Sequence, residues 1–266
     1  MDFVIICLIS AGTAALTLFS GFGLGTMLIA AFALLFPIEV AIAAAGVVHF
    51  ANNLFKLALV GKWAERSVVL RFGVPAIIAA LAGAALMTVM VETQPIYEYR
   101  IGRLAAQITW LKLVIALLLA AFGALELWPG HRDLSFPRKM LPVGGVLSGF
   151  FGGISGMQGA LRAPFLLRAG LTKEQFIGTT NVISTMVDLT RLTVYLVGLT
   201  WLAQQRDYAV LKNSRTLWLV GVACLAGFCG SYFGARMVRK VTLRGIRVLV
   251  AVLLFTVAAA LGSGIV

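Results

Sequence analysis

Two stretches of the chain, 46–57 and 181–192, each place polar side chains on one face of an otherwise apolar helix. The polar residues recur at spacings of three and four, so they share one face of a 3.6-residue helix. They are His49, Asn52, Asn53 and Lys56 in the first stretch, and Asn181, Ser184, Thr185, Asp188 and Arg191 in the second. Because polar groups are costly inside a bilayer, two such faces predict a polar pathway within a membrane.

The cations of these faces indicate an anionic ligand. Lys56 and Arg191 occupy equivalent positions 135 residues apart. Arginine binds an oxyanion through its planar fork, and lysine does so as a point charge. Both residues lie toward the C-terminal ends of their helices, so snorkelling to the lipid headgroups is the alternative, above all for Lys56.

The ionisable neighbours of these cations predict proton coupling. Asp188 lies one helical turn before Arg191, where it either neutralises the guanidinium permanently or exchanges protons. Histidine is the residue type whose charge changes most readily near neutral pH, so His49 is a candidate proton carrier, and a purely structural hydrogen bond is its alternative role. We therefore predict His49 and Asp188 as the proton-coupling residues.

Clusters of glycine precede both polar faces and predict interrupted helices. They lie at 20–25 and 152–159, and short apolar pieces follow at 26–36 and 160–169. A helix broken inside a bilayer exposes backbone N–H and C=O groups, and its new N-terminus attracts anions. Close packing of small residues is the alternative explanation, and it is the one we adopt for Gly83, Gly227 and Gly230.

The polar faces and the glycine breaks together define the candidate site. Arg162, within the second short piece, either binds an anion or is held by backbone carbonyls, and the amides and hydroxyls either bind substrate or join helices. The predicted substrate-binding residues are Gly23, Gly25, Asn52, Asn53, Lys56, Gly156, Gln158, Gly159, Arg162, Asn181, Ser184 and Arg191.

The composition indicates a helical membrane protein. Hydrophobic residues make up 61% of the 266 residues and charged residues 12%, which is far more apolar than a soluble domain. Apolar runs such as 3–19, 72–91, 111–127 and 248–266 approach or reach the roughly 20 residues that cross a bilayer. The net charge of +12 lies mostly in loops between these runs, where it orients the chain and needs no nucleic acid as a partner. The predicted fold class is an all-α polytopic membrane protein.

The order of these features predicts an internal duplication. Each half contains a glycine-broken helix, a short piece, a polar-faced helix and two further helices, so we divide the chain into repeats at 1–130 and 131–266. About five segments per repeat give ten in total, with eight as the alternative if the short pieces do not cross the membrane. An odd number per repeat predicts that the two repeats insert with inverted orientation.

The paired segments "SGFGLGTMLIAAFALLFPIEVAIAAA" and "SGFFGGISGMQGALRAPFLLRAGLTKEQFIGTTNVIST", each followed by a polar-faced helix, resemble the TauE/SafE sulfite exporter family, also called the toluene-sulfonate uptake permeases. The resemblance covers nearly the whole chain. It implies secondary transport of a small sulfur-containing anion such as sulfite, sulfoacetate or another organosulfonate.

These observations together give the functional expectation. It is a secondary transporter of the inner (plasma) membrane, working by alternating access and coupled to an ion or proton gradient. An anion channel and an intramembrane enzyme with His49 or Asp188 as acid or base are the alternatives. Cys7, Cys224 and Cys229 lie within apolar runs, so no metal and no cofactor are expected. The expected partners are a small anion and the lipid bilayer, and a homo-oligomer is left open.

Overall fold

The protein is a bundle of ten α-helices over the residues that its computed structural model describes. These residues are 2–20, 24–102, 104–128, 130, 134–205, 214–237 and 243–266. The helices are α1 (Asp2–Ser20), α2 (Leu24–Ala33), α3 (Ile38–Val60), α4 (Arg66–Glu92), α5 (Trp110–Leu127), α6 (Leu141–Ser155), α7 (Gly159–Leu167), α8 (Lys173–Gln205), α9 (Ser214–Met237) and α10 (Leu243–Gly262). The predicted all-α polytopic fold with ten segments is confirmed.

Several helices have the length and composition of membrane spans. Within the described residues, the segments Ile38–Trp63, Arg66–Glu92 and Trp110–Leu127 are long and apolar enough to cross a bilayer. Their outward faces expose large apolar side chains, among them Leu117 at 71%. By contrast, α2 and α7 have 10 and 9 residues, and at a rise of about 1.5 Å per residue they extend only about half of the hydrocarbon thickness.

The end of α6 falls where the second glycine cluster predicts it, whereas the break predicted by the first cluster falls on residues 21–23, outside the described residues. α1 ends at Ser20 and α2 begins at Leu24, while Gly23 lies outside the described residues. α6 ends at Ser155, and Gly156 follows it with a φ of +79°, a left-handed conformation that glycine adopts without strain. A second left-handed glycine, Gly170 with a φ of +77°, follows α7.

The closest helix contacts join the two halves of the chain. α4 packs along α6, and α9 packs along α1, so the fourth helix of each half lies against the first helix of the other. A Cβ added at Gly149 of α6 would lie 2.1 Å from the carbonyl oxygen of Ala76, and one at Gly230 would lie 2.1 Å from that of Ala11. Gly83 has the same close approach to Phe150, so the packing role predicted for Gly83 and Gly230 is confirmed.

Two further contacts also join the halves. α3 packs against α8, and α5 packs against α10. This pairing of corresponding helices supports two related repeats. The boundary between residues 130 and 131 and the inverted orientation stay predictions.

A small β-hairpin between α4 and α5 is a feature that the prediction of helices throughout did not include. Strands β1 (Tyr97–Ile101) and β2 (Leu104–Ile108) pair antiparallel around Gly102, whose φ is +61°. The backbone N–H of Gln107 donates to the carbonyl of Gly264 at 3.1 Å, which fixes the segment after α10 against the hairpin. Short strands of this kind lack the long apolar run by which the helices were recognised.

Candidate anion and proton site

The carboxylate of Asp188 is the centre of a buried polar cluster between α3 and α8. Asp188 lies near the middle of α8 and is fully buried. Its Oδ2 lies 2.5 Å from Nδ1 of His49, and the side-chain amide of Asn53 donates to the same oxygen at 2.7 Å. Residues 53 and 188 are equivalent positions of the two repeats, so the two polar faces contact each other through equivalent residues.

The other oxygen of Asp188 joins α7 to the cluster. Oδ1 accepts from Nε of Arg191 at 3.0 Å and from Nε2 of Gln158 at 3.2 Å, and Nη2 of Arg191 also lies 3.0 Å away. Nη1 of Arg162 donates to Oε1 of Gln158 at 3.0 Å. Two buried guanidinium groups, Arg162 and Arg191, therefore surround one buried carboxylate, which leaves the cluster with an excess of positive charge.

The guanidinium of Arg191 lies directly against the second helix break. A Cβ added at Gly156 would lie 2.4 Å from Nη1 of Arg191, and one at Gly46 of α3 would lie 3.3 Å from the same atom. Nη1 is buried and has no hydrogen-bond partner among the described residues. A buried N–H group without a partner is costly, and a bound oxyanion would provide one.

The first turn of α2 is in contact with the helix break at Gly156. A Cβ added at Gly25 would lie 2.9 Å from the carbonyl oxygen of Gly156 and 3.7 Å from Cδ2 of His49. Gly25 therefore borders the imidazole, and the break at Gly156 borders the guanidinium of Arg191. This arrangement places the first turn of α2 and the end of α6 beside the two ionisable partners of Asp188.

Three further predicted residues, Asn181, Ser184 and Gly159, lie in or beside the cluster. Nδ2 of Asn181 donates to Oδ1 of Asn53 at 3.4 Å, and the backbone carbonyl of Ser184 accepts from Gln158 at 3.5 Å. Gly159 is the first residue of α7, which begins beside the cluster.

One of the predicted residues on α3 points away from α8. Oδ1 of Asn52 accepts from the hydroxyl of Ser231 at 2.7 Å, so Asn52 faces α9 instead of α8. Lys56 lies one turn beyond Asn53 and is half-buried. Among the described residues, no group of three His, Cys, Asp or Glu side chains forms a metal site.

Tyr195 and Gly46 are components of the site that the sequence reasoning missed. The hydroxyl of Tyr195 donates to the carbonyl of Gly153, in the last turn of α6, and interacts with Arg191. Tyr195 follows Arg191 by four residues and Asp188 by seven, so the helical spacing places it on the same face. Gly46 begins the first polar stretch, and its missing side chain leaves room for the guanidinium.

The fold and the site define a polytopic helical membrane protein with a helix break at Gly156 and a buried, positively charged polar cluster. A family model described as "Sulfite exporter TauE/SafE" matches residues 5–261, nearly the whole chain. The chain belongs to this family, which is a family of membrane transporters, and the resemblance stated from the sequence is confirmed. No curated protein and no solved structure matches the chain.

Proposed function

We propose that the protein is a secondary transporter of a small sulfur-containing anion, such as sulfite, sulfoacetate or another organosulfonate, in the inner membrane of the cell. It works by alternating access around the Asp188 cluster and is coupled to an ion or proton gradient. Family membership supports the class of substrate.

The observation that carries the proposal is the unpaired Nη1 of the buried Arg191 beside the break at Gly156. A sulfite or sulfonate group has three oxygens that accept hydrogen bonds. One can accept from Nη1, and others can accept from the free N–H groups at the start of α7. Arg162 provides a second buried guanidinium. Its hydrogen bond runs to the uncharged amide of Gln158, so this bond does not neutralise its positive charge.

The test is uptake of labelled sulfite and of a labelled alkanesulfonate by proteoliposomes that contain the purified protein. We expect saturable uptake that responds to an imposed proton gradient and that Arg191→Ala abolishes, because the variant lacks the buried cation. Thermal unfolding in detergent checks that the variant is folded. Absence of uptake and exchange under every gradient would contradict the proposal, and a flux that does not saturate would indicate a channel instead.

A further inference from the structure

Asp188 occupies the hydrogen-bond donors that a bound oxyanion would use. Both of its oxygens are saturated, by His49 and Asn53 on one side and by Gln158 and Arg191 on the other. Imidazole, amide and guanidinium N–H groups are also the groups that hold sulfonate or sulfite oxygens in proteins. The carboxylate of Asp188 is therefore an internal anion that occupies Arg191 in the way that a bound substrate would.

The charged and titratable groups that face this carboxylate come from three helices. α3 provides His49, α8 provides Arg191 and Tyr195, and α7 provides Arg162 through Gln158. If Asp188 is ionised and His49 is neutral, the hydrogen-bonded cluster has one positive charge in excess. A substrate anion that binds to Arg191 while Asp188 stays ionised would lie beside a buried like charge and would compete with it for the same guanidinium.

His49 provides a route by which that carboxylate loses its charge. Its side chain is 13% exposed, whereas that of Asp188 is fully buried, so the imidazole is the member of the pair that has exposed surface at which a proton can bind. Nδ1 lies 2.5 Å from Oδ2 of Asp188, and the Cδ2 edge of the ring lies beside Gly25 of α2. A proton that binds to Nε2 allows the Nδ1 proton to pass to Oδ2. The imidazole is then neutral again, the carboxyl group is neutral, and the guanidinium of Arg191 is released.

We propose that Asp188 is an internal counter-anion that the substrate replaces, and that one proton binds to the His49–Asp188 pair for each anion that binds to Arg191. Proton and anion then cross the membrane together, as a symport. This inference rests on the proposed function and specifies the coupling ion, its ratio to the substrate and the residue that carries it.

The experiment measures binding of methanesulfonate, whose charge does not change near neutral pH, to the detergent-purified protein by calorimetry at a series of pH values. Proton uptake is measured in parallel in weakly buffered solution. For the wild type we expect uptake of about one proton per anion and an affinity that falls about tenfold per pH unit above the titration of the pair. For Asp188→Asn we expect an affinity that is constant with pH and no proton uptake, because the amide carries no charge to neutralise.

The wild-type titration decides the question even if the variant does not fold. Binding without proton uptake, at an affinity independent of pH, would overturn the symport and leave the proposed function standing. Loss of binding in a folded Asp188→Asn protein would also overturn it, because the carboxylate would then be needed for the site. No binding of methanesulfonate or sulfite by the wild type at any pH would overturn both.

Discussion

The polar helices α3 and α8 meet at equivalent positions but carry different chemistry. At the crossing, α3 presents the imidazole of His49 and the amide of Asn53, whereas α8 presents the ion pair of Asp188 and Arg191. Gly25 of α2 borders the imidazole, and the break at Gly156 borders the guanidinium. In the proposed mechanism the two polar faces therefore have different roles: α3 provides the imidazole that passes a proton on, and α8 provides the carboxylate that receives it and the guanidinium that binds the anion.

The largest effect is expected for a substitution at Gly156, the residue that follows α6. Gly156→Ala adds a Cβ to a residue with a φ of +79°, at 2.4 Å from Nη1 of Arg191. Both the backbone strain and the displaced guanidinium act against the site, so we expect uptake to be lost.

Gly170→Ala is the matched control for that variant. Gly170 has a φ of +77° and nothing within 4 Å of an added Cβ, so it introduces the strain without the contact. We expect a lower thermal unfolding temperature and retained uptake. Equal loss of uptake in the two variants would show that backbone strain alone accounts for the effect.

The next prediction compares a buried cation within α7 with an exposed cation that directly follows its C-terminal end. Arg162→Gln removes a guanidinium that is 3% exposed, whereas Arg168→Gln removes an exposed one six residues later. A charge-assisted hydrogen bond contributes about 1.5–3 kcal/mol, so we expect binding of methanesulfonate to weaken about tenfold or more in the first variant. Isothermal calorimetry should show little change in the second, and equal affinities in both would remove Arg162 from the site.

A double substitution tests the division of roles between the repeats. Asn53→Asp with Asp188→Asn keeps the net charge and moves the carboxylate from α8 to α3, close to His49 but without its ion pair to Arg191. Because Arg191 then lacks its ion pair at every pH, we expect an anion affinity that depends on pH less steeply than in the wild type. Calorimetry at three pH values measures the slope, and an unchanged slope would mean that the helix carrying the carboxylate does not matter.

The smallest effect is expected at Tyr195. Tyr195→Phe keeps the buried ring and removes the hydroxyl that joins Arg191 to the last turn of α6. Loss of one such hydrogen bond costs about 1 kcal/mol, which corresponds to an affinity about five-fold weaker. Calorimetry should show this change at every pH, because a positioning residue does not carry the proton. A changed slope of anion affinity against pH would assign Tyr195 a role in coupling.

Much of the fold followed from local patterns in the sequence. Apolar length predicted the helices, and glycine density predicted the end of α6. The second polar-faced segment continues as α8 to Gln205, and Gly198 within it packs closely against Thr88. The hairpin at 97–108 was missed because five-residue strands give a weak periodic signal.

The site could be predicted only in part. Helical spacing placed His49 and Asn53 on one face and Asp188 and Arg191 on another, but their mutual contacts depend on how α3 crosses α8. Asn52 is adjacent to Asn53 in sequence, and the rotation of about 100° per residue turns it toward α9 instead. Distances between helices are set by tertiary packing, which spacing along a single segment does not encode.

The most direct test of the account is a structure of the protein determined by electron cryo-microscopy with sulfite or methanesulfonate bound. We expect the anion between Gly25 and Gly156, within hydrogen-bond distance of Nη1 of Arg191. The distance between Nε of Arg191 and Oδ1 of Asp188 should be longer than its present 3.0 Å. An anion bound elsewhere, with that contact intact, would contradict the central claim that the Asp188 cluster is the transport site.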